Sequence, residues 1–393
     1  MLKPILRALC ASLLLTTGGM TVRADDMLVT KKTFDLPTYT TVGGKTIAPV
    51  KVGWEAYGTL NADKSNVILI THFFSGTSHA AGKYKAEDKL AGYWDYLIGP
   101  GKAVDTNKFY VIASDTLVNL NVNDPMVVTT GPASIDPATG KPYGMSFPIV
   151  GMRDFVNVQK ALLDSLGVRK LHAVMGASMG GLQAYEWASA YPDIVDRLVA
   201  VISAGEADPW LIEWVGLWGA PVLVDAKWNG GDYYGKEPPL AGLTLALKLI
   251  SLQANHWQWA EKTFGRAWAE EGKDPAASFA NKYKIEAALE TGSAARALAA
   301  DANSLLYLVK ANQLFATGGT GVEGLKKIKA KTLILSTPTD QVFAQDWVRA
   351  TTEAIKAGGA SVETADITGP YGHLNGVLSL APLAPKITEF LAR

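Results

Sequence analysis

The sequence predicts an α/β fold in which helices cover both faces of a mostly parallel sheet and a helical cap is inserted into the chain. Short apolar runs alternate with helical patterns, and several of these runs are continuously apolar, as strands buried on both faces should be. From residue 207 to residue 324, helical patterns continue without a convincing strand. A strand pattern resumes at Thr332, so the helical segment interrupts a single sheet domain.

The individual elements follow from these patterns. One helical face carries four apolar residues, and the helix should end at the glycine that follows them: Phe155, Val158, Leu162, Leu166 and Gly167. Further helices are predicted at residues 180–190, 240–252 and 294–315. Strands are predicted at residues 67–71, 109–114, 171–175, 198–203, 332–336 and 361–367.

Length and charge limit the domain organisation and the ligands. A chain of 393 residues can form two domains, or one domain with a sizeable insertion. Its 37 basic and 37 acidic side chains give no net charge, which removes the usual electrostatic basis for binding nucleic acid or an anionic membrane. We therefore expect no nucleic-acid partner, and a small substrate that is neutral or whose charge is recognised only locally.

The N-terminal segment has the composition of a secretory signal peptide. Lys3 and Arg7 precede a short apolar run at residues 8–15, and small residues lead to a cleavage site after Ala24. The run is too short to cross a bilayer. The only cysteine, Cys10, lies in this segment, so the mature chain is expected to contain no disulfide and no cysteine nucleophile. We predict a periplasmic or secreted protein without stable membrane insertion after cleavage.

The same patterns divide the chain into parts. The prediction is a signal peptide, an α/β core in two pieces and a helical cap, at residues 1–24, 25–206 with 325–393, and 207–324. Seven of the eleven tryptophans lie in the cap. Trp210, Trp214 and Trp218 repeat every four residues, which is typical of a stripe that faces a core or an interface. The alternative is that some of them line an apolar pocket under the cap.

Ser178 lies in a pattern typical of a serine nucleophile. It is the centre of the segment Gly176-Ala177-Ser178-Met179-Gly180, between a predicted strand and a predicted helix. The flanking glycines let the backbone turn tightly, and the helix N-terminus favours negative charge near the hydroxyl. This context predicts a nucleophile elbow. Without that context, the alternative is a small residue in a glycine-rich turn.

A serine nucleophile needs a base, and the base needs an acid that orients it. In such folds the acid and then the histidine follow the serine in the chain. His373 is the predicted base because it is the only histidine that follows the last predicted strand. Asp340, just after the strand at 332–336, is the predicted acid, and Asp366 is the weaker alternative. His172 is expected to be a core residue in the strand before the elbow.

The tetrahedral intermediate of acyl transfer needs two backbone N–H donors. We expect them from Met179, directly after the nucleophile, and from Phe74, in the turn after the strand at 67–71. For Phe74 the alternative is an ordinary polar turn. No cofactor and no metal are expected: no metal-ligand cluster stands out, and the glycines at residues 318–321 lack the preceding strand that a dinucleotide fold requires.

Segments around these residues resemble the homoserine O-acetyltransferase family of the α/β-hydrolase superfamily. They occur in the family's order along most of the chain: THFFSGTSHAAG, YWDYLIGPGKAVDTNKFYVI, TGPASIDPATGKPYG, RDFVNVQKALLDSLGV, GASMGGLQAYEWASAYPD, WNGGDYYG, DANSLLYLVKA and PYGH. The resemblance implies an α/β-hydrolase fold with a helical cap that often forms a dimer contact. It also implies a catalytic triad and an oxyanion hole, made by Ser178, Asp340 and His373 and by Phe74 and Met179.

Departures from the family pattern bear on the acyl acceptor. Family members that acetylate homoserine place an aspartate directly after the catalytic histidine, where this chain has Leu374. They also carry an arginine in the first cap helix, whereas residues 213–221 read EWVGLWGAP. An amino acid would find no ionic partner here for its amino group or its carboxylate, and each such partner is worth about 2 kcal/mol when desolvated. Residues 116–128, TLVNLNVNDPMVV, replace a shorter, glycine-richer loop, so the approach to the site should differ.

Predicted export also favours water as the acceptor, because acyl-coenzyme A thioesters are made in the cytoplasm. We predict a serine ester hydrolase that acts through an acyl-serine on a neutral ester with a short acyl group and a hydrophobic alcohol part. The alternative is an O-acyltransferase of the homoserine acetyltransferase type with a different acceptor. A third reading is a binding protein whose hydrolase residues are idle. A homodimer through the cap is a further expectation.

Overall fold

The centre of the fold, seen in a computed structural model that describes residues 27–393, is an eight-stranded sheet. The predicted signal peptide and Cys10 lie outside the described residues. The strands are β1 (Lys32–Leu36), β2 (Val50–Tyr57), β3 (Val67–Thr71), β4 (Tyr110–Ser114), β5 (Ala173–Ala177), β6 (Arg197–Val201), β7 (Lys331–Ser336) and β8 (Val362–Asp366). Their order in the sheet is β1-β2-β4-β3-β5-β6-β7-β8.

The sheet is mostly parallel, with an antiparallel edge. β1 pairs with β2, and β2 with β4, in antiparallel register. All other neighbouring strands are parallel. The register pairs Gly176 with Ala200 and Ala200 with Ile334. The carboxyl ends of β5, β6 and β7 therefore meet at one edge, where ligands of open α/β sheets usually bind.

Both faces of the sheet are covered, as the continuously apolar strands predicted. Alternate residues of β3 contribute to two separate apolar clusters. Leu69 belongs to the cluster that contains Phe155 of α1 (Met152–Ser165) and Leu182 of α2 (Met179–Ala190). Ile70 belongs to the cluster that contains Phe390 of α11 (Ala384–Ala392). The predicted fold class is confirmed.

Helices follow β6 and precede β7. They are α3 (Pro209–Leu223), α4 (Leu240–Ala254), α5 (Trp257–Phe264), α6 (Lys284–Ala297), α7 (Ala302–Gln313) and α8 (Val322–Leu325). The single helix predicted at residues 294–315 is wrong. It is divided into α6 and α7, because the Asp301 carboxylate accepts the N–H of Ser304 and caps a new helix there.

The remaining helices complete the core. They are α9 (Gln345–Ala357) and α10 (Asn375–Leu378), with 3₁₀ turns at Gly144–Ser146, Ala226–Gly231, Thr317–Gly319, Gly372–Leu374 and Ala381–Leu383. Within residues 27–393, no helix is both long and apolar enough to span a bilayer.

The position of His172 differs from the prediction. It precedes β5 and is half-buried, and its Nε2 lies 2.7 Å from the carbonyl oxygen of Leu391. Burial lowers its pKa below the ordinary value for histidine. His172 therefore contacts the C-terminal helix and is not part of the core strand.

Candidate active site

Ser178 occupies a strained turn between β5 and α2. Its φ of 55° and ψ of −122° form a conformation that residues with a Cβ rarely adopt. The neighbouring glycines make this turn sterically feasible: a Cβ at Gly180 would lie 2.0 Å from the Thr71 carbonyl oxygen. A Cβ at Gly176 would lie 2.2 Å from Thr71 Oγ1. The turn is thus pressed against the end of β3, at the carboxyl edge of the sheet.

The structure brings the three predicted triad residues into one hydrogen-bonded chain. His373 Nε2 lies 2.8 Å from Ser178 Oγ, and His373 Nδ1 lies 2.9 Å from Asp340 Oδ2. Asp340 comes shortly after β7, and His373 lies in the 3₁₀ turn after β8. The side chains of His373 and Asp340 are only 8% and 2% exposed. Little water competes for these bonds, which strengthens them.

Asp340 determines the direction of proton transfer. Its Oδ2 lies 2.9 Å and its Oδ1 3.1 Å from His373 Nδ1, and Oδ1 also accepts the N–H groups of Val342 and Phe343 at 2.7 and 3.1 Å. A carboxylate at Nδ1 keeps the proton of a neutral imidazole there and leaves Nε2 as the acceptor for the Ser178 hydroxyl. The weaker alternative, Asp366, is exposed at the end of β8.

Asn375 organises the loop that carries His373. Its Oδ1 accepts the N–H of Tyr371 at 3.2 Å, and its Nδ2 donates to the carbonyl oxygen of Gly369 at 3.0 Å. The same amide donates to Thr337 Oγ1 at 3.3 Å, just beyond β7. Asn375 is fully buried. The sequence analysis did not identify this residue, and its position two residues after the histidine was the only available signal.

The two expected oxyanion donors come from different segments of the chain. Met179 is the first residue of α2, and Phe74 lies in the turn after β3. Neither backbone N–H has a hydrogen-bond acceptor within the described part of the protein. Both groups therefore stay available for an external oxyanion.

The first cap helix touches the turn that carries Phe74. The ring of Trp218 packs edge-on against that of Phe74, with 5.2 Å between centroids, and Trp218 Nε1 donates to Gln253 Oε1 at 2.6 Å. Trp210, two helical turns earlier, is 65% exposed, whereas Trp218 is 7% exposed. The tryptophan stripe thus divides: one end is buried beside the candidate site and the other lies on the surface.

A buried charged cluster lies behind the same turn. Glu55 is fully buried and contacts Lys31 Nζ at 2.9 Å and His79 Nδ1 at 3.0 Å. Burial acts to raise the pKa of Glu55, but the hydrogen bond from His79 and the Lys31 charge outweigh it and hold the pKa below its ordinary value. Asp115 accepts the N–H of Ser78 at 2.7 Å and lies 3.5 Å from Lys31. This cluster anchors the distal end of the turn.

The described residues contain no group of three or more His, Cys, Asp or Glu side chains arranged to hold a metal ion. Ser178, His373 and Asp340 together form the set that acyl transfer through a serine requires.

Comparison with known proteins identifies the family. Residues 124–366 match the family model described as the alpha/beta hydrolase fold. The homoserine O-acetyltransferase of Carboxydothermus hydrogenoformans is 37% identical over 370 residues, covering 93% of this chain and 95% of the relative. The chain belongs to the homoserine O-acetyltransferase family of α/β hydrolases. It is therefore an enzyme of that superfamily.

Solved structures similar to this family member include an esterase and an acetyltransferase. Esterase E22 is 48% identical with a TM-score of 0.89, and the match covers 93% of this chain and 100% of the esterase chain. An L374D mutant of esterase E22 is 47% identical with a TM-score of 0.89, covering 93% of this chain and 100% of that one. The homoserine O-acetyltransferase of Bacillus anthracis is 37% identical with a TM-score of 0.88, covering 93% and 98%. Proteins similar to this chain thus bear the names of two activities, esterase and homoserine O-acetyltransferase.

Proposed function

We propose that this protein is a serine ester hydrolase that forms an acyl-enzyme on Ser178 and transfers the acyl group to water. The observation that carries the proposal is the hydrogen-bonded chain from Asp340 through His373 to Ser178, followed directly by the apolar Leu374. The three hydrogen-bonded residues supply the nucleophile and its base, and Leu374 bears on the identity of the acyl acceptor.

Acylation follows from this geometry. His373 Nε2 takes the proton of Ser178 while Oγ attacks the ester carbonyl carbon, and the carbonyl π electrons move to oxygen. The N–H groups of Phe74 and Met179 are the donors for that oxyanion. When the intermediate collapses, the alcohol leaves with the proton held by His373. Asp340 stabilises the imidazolium and keeps the ring in place.

Deacylation repeats these steps with water. His373 takes a proton from a water molecule, the hydroxide adds to the acyl carbon, and Ser178 leaves with the proton returned by His373. The same acyl-enzyme could pass its acyl group to an alcohol. The hydrolase and transferase readings therefore differ only in what occupies the acceptor position.

The side chains near the triad favour a neutral acceptor. Leu374 is half-buried beside His373 and carries no charge. Helix α3 has one charged residue, Glu213, which is exposed, and it presents Trp218 toward Phe74. A zwitterionic amino acid would lose its hydration without gaining an ionic partner from these groups. Water, or an ester with an apolar alcohol part, would not carry this cost.

Similarity to esterase E22 supports the same reading. That esterase has also been studied as an L374D mutant, and leucine versus aspartate is the difference that the family resemblance places beside His373. Acyl transfer to an alcohol is the second candidate function, because the relatives from Carboxydothermus hydrogenoformans and Bacillus anthracis are homoserine O-acetyltransferases.

We also propose that the protein is exported and dimeric. The signal-peptide composition of residues 1–24 supports export, and N-terminal sequencing of protein from fractionated cells should begin after Ala24. Exposed apolar side chains on α3 and α4 support a homodimer, which light scattering would detect. They are Ile212, Leu217, Leu223, Leu245, Leu249 and Leu252.

A direct comparison of substrates tests the function. Hydrolysis of p-nitrophenyl acetate, butyrate and octanoate is measured beside consumption of acetyl-coenzyme A with and without homoserine. We expect rapid hydrolysis of the acetate ester, less with longer chains, and no homoserine-dependent release of coenzyme A. Ser178→Ala is the matched control and should remove the activity. Consumption of acetyl-coenzyme A with slow ester hydrolysis would reverse the order of the two candidates.

A further inference from the structure

Three alternating asparagines lie in the segment that replaces the shorter family loop. We call residues 119–123 the asparagine strap; it contains Asn119, Asn121 and Asn123. Each side chain donates an N–H to a backbone carbonyl oxygen in another segment. The acceptors are, in order, Gly76, Ser75 and Ala300, each 3.0 Å from the donor nitrogen.

The amide of Asn119 is fully occupied. Its Nδ2 donates to Gly76 and also contacts His72 Nε2 at 3.3 Å, while its Oδ1 accepts the N–H of Asn121 at 3.0 Å. His72 Nδ1 donates to the carbonyl oxygen of Phe73 at 2.8 Å, which leaves Nε2 as an acceptor. Burial lowers the pKa of His72, consistent with a neutral ring. Both Asn119 and His72 are buried.

These contacts bracket the predicted oxyanion donor. Asn119 contacts His72 on one side of Phe74 and Gly76 on the other, and Asn121 contacts Ser75 directly after it. The Phe74 N–H itself has no acceptor in the described residues, so its direction depends on how the flanking backbone is held. A small misplacement of a catalytic group can cost a large factor in rate.

We propose that Asn119 and Asn121 are positioning residues of the oxyanion hole, which aim the Phe74 N–H at the oxygen of the tetrahedral intermediate. This inference rests on the proposed function of Ser178, because only an acyl-transfer intermediate needs that donor. Neither asparagine touches the reacting atoms; both act through the turn at residues 72–76.

The other end of the strap offers a matched control. Asn123 donates its backbone N–H to Ala299 and its side-chain N–H to Ala300, both at 3.0 Å, in the connection between α6 and α7. The Asp301 N–H donates to the carbonyl oxygen of Leu120 at 2.9 Å. Asn123 thus makes the same kind of bond as Asn121, at the same length, but to the cap.

The experiment measures binding of trifluoroacetone to Ser178 by ¹⁹F NMR, together with kcat and KM for p-nitrophenyl acetate. In the adduct, Ser178 Oγ bonds to the ketone carbon, the carbonyl π pair moves to oxygen, and the serine proton passes to His373. The resulting oxyanion requires the hole. Because no acyl acceptor takes part, the affinity of the adduct measures the oxyanion hole whether the enzyme is a hydrolase or an acyltransferase.

The variants are Asn121→Ala, the isosteric Asn121→Asp, Asn119→Ala and Asn123→Ala. Removing a whole oxyanion donor costs about 10²- to 10³-fold in kcat, which is the upper limit for misplacing one. We expect both Asn121 variants to lower kcat and adduct affinity about tenfold with little change in KM, and Asn119→Ala to lower them further. Asn123→Ala should leave both within about twofold.

Folded Asn121 variants with wild-type kcat and adduct affinity would overturn the inference, as would equal losses in Asn123→Ala. If Asn119→Ala does not fold, the Asn121 variants decide, because that half-buried side chain makes a single bond to the turn. If the adduct forms and its affinity falls across the variants as expected, but wild type hydrolyses no ester, the inference stands and the proposed hydrolase function is refuted. Absence of any adduct on wild-type Ser178 would refute both.

Discussion

Only one oxygen of the Asp340 carboxylate accepts backbone N–H groups, and this asymmetry determines the expected effect of Asp340→Asn. Both oxygens lie near His373 Nδ1, Oδ2 at 2.9 Å and Oδ1 at 3.1 Å, but only Oδ1 also accepts the N–H groups of Val342 and Phe343. An asparagine can place its NH₂ group on only one side. Turned toward the two backbone donors, it would leave both buried N–H groups unpaired, at about 1–3 kcal/mol each.

The asparagine should therefore keep its oxygen toward Val342 and Phe343 and point its NH₂ group at His373. The imidazole must then carry its hydrogen on Nε2, where it can no longer accept the proton of Ser178. In serine hydrolases this wrong tautomer lowers kcat about 10⁴-fold, equivalent to about 5.5 kcal/mol. Stability should change little, because the backbone hydrogen bonds are retained.

The assay is hydrolysis of p-nitrophenyl acetate at saturating substrate, with urea unfolding as the check on stability. Asp366→Asn is the matched control, since Asp366 is exposed at the end of β8 and should be silent. Asp340→Asn that keeps more than about a tenth of the wild-type kcat would refute the tautomer reasoning. A large loss in Asp366→Asn would instead implicate the alternative acid.

Three further predictions concern stability, each measured by urea unfolding. Ser178→Gly should abolish activity yet raise the free energy of unfolding by about 1 kcal/mol, because glycine adopts a φ of 55° without strain; an unchanged or lower value would contradict this. Lys31→Met should cost about 3–5 kcal/mol, because it removes the lysine charge beside two buried carboxylates, Glu55 and Asp115, whereas Lys51→Met, in an exposed pair with Asp35, should cost less than about 1 kcal/mol; equal costs would contradict it. Because the pKa of Glu55 is lower in the folded protein than its ordinary 4.5, its ionised form contributes stability that is present above pH 4.5 and lost as pH falls through the folded pKa. Glu55→Gln should accordingly flatten the loss of stability below pH 4.5, and an unchanged slope would exclude this contribution.

The central strands and the triad positions could be predicted because their signals are local. β3 and β5 are buried along their whole length, so their sequences, VILIT and AVMGA, are apolar apart from Thr71. Ser178, Asp340 and His373 each follow a strand pattern at the same edge of the sheet, and their order in the chain limits the choice. The structure brings these three side chains together, whereas the roles of Phe74 and Met179 as donors stay predictions.

Other features depend on contacts between distant segments, which a local pattern does not reveal. β2 was missed because it carries Lys51 and the buried Glu55, whose charge is compensated by Lys31 and His79 from elsewhere in the chain. The break between α6 and α7 was missed because its residues, LAAD at 298–301, include good helix formers. Asn375 was also missed because its partners, among them Thr337 Oγ1, come from a distant segment of the chain.

All three asparagines of the strap donate to main-chain oxygens, and this has an evolutionary consequence. Any amino acid at positions 75, 76 or 300 presents the same carbonyl group, so substitutions there need no compensating change in Asn119, Asn121 or Asn123. Residue covariation between relatives would therefore not reveal these contacts. Loss of an asparagine, by contrast, cannot be compensated by a new side chain at the acceptor position, because the acceptor is a main-chain oxygen.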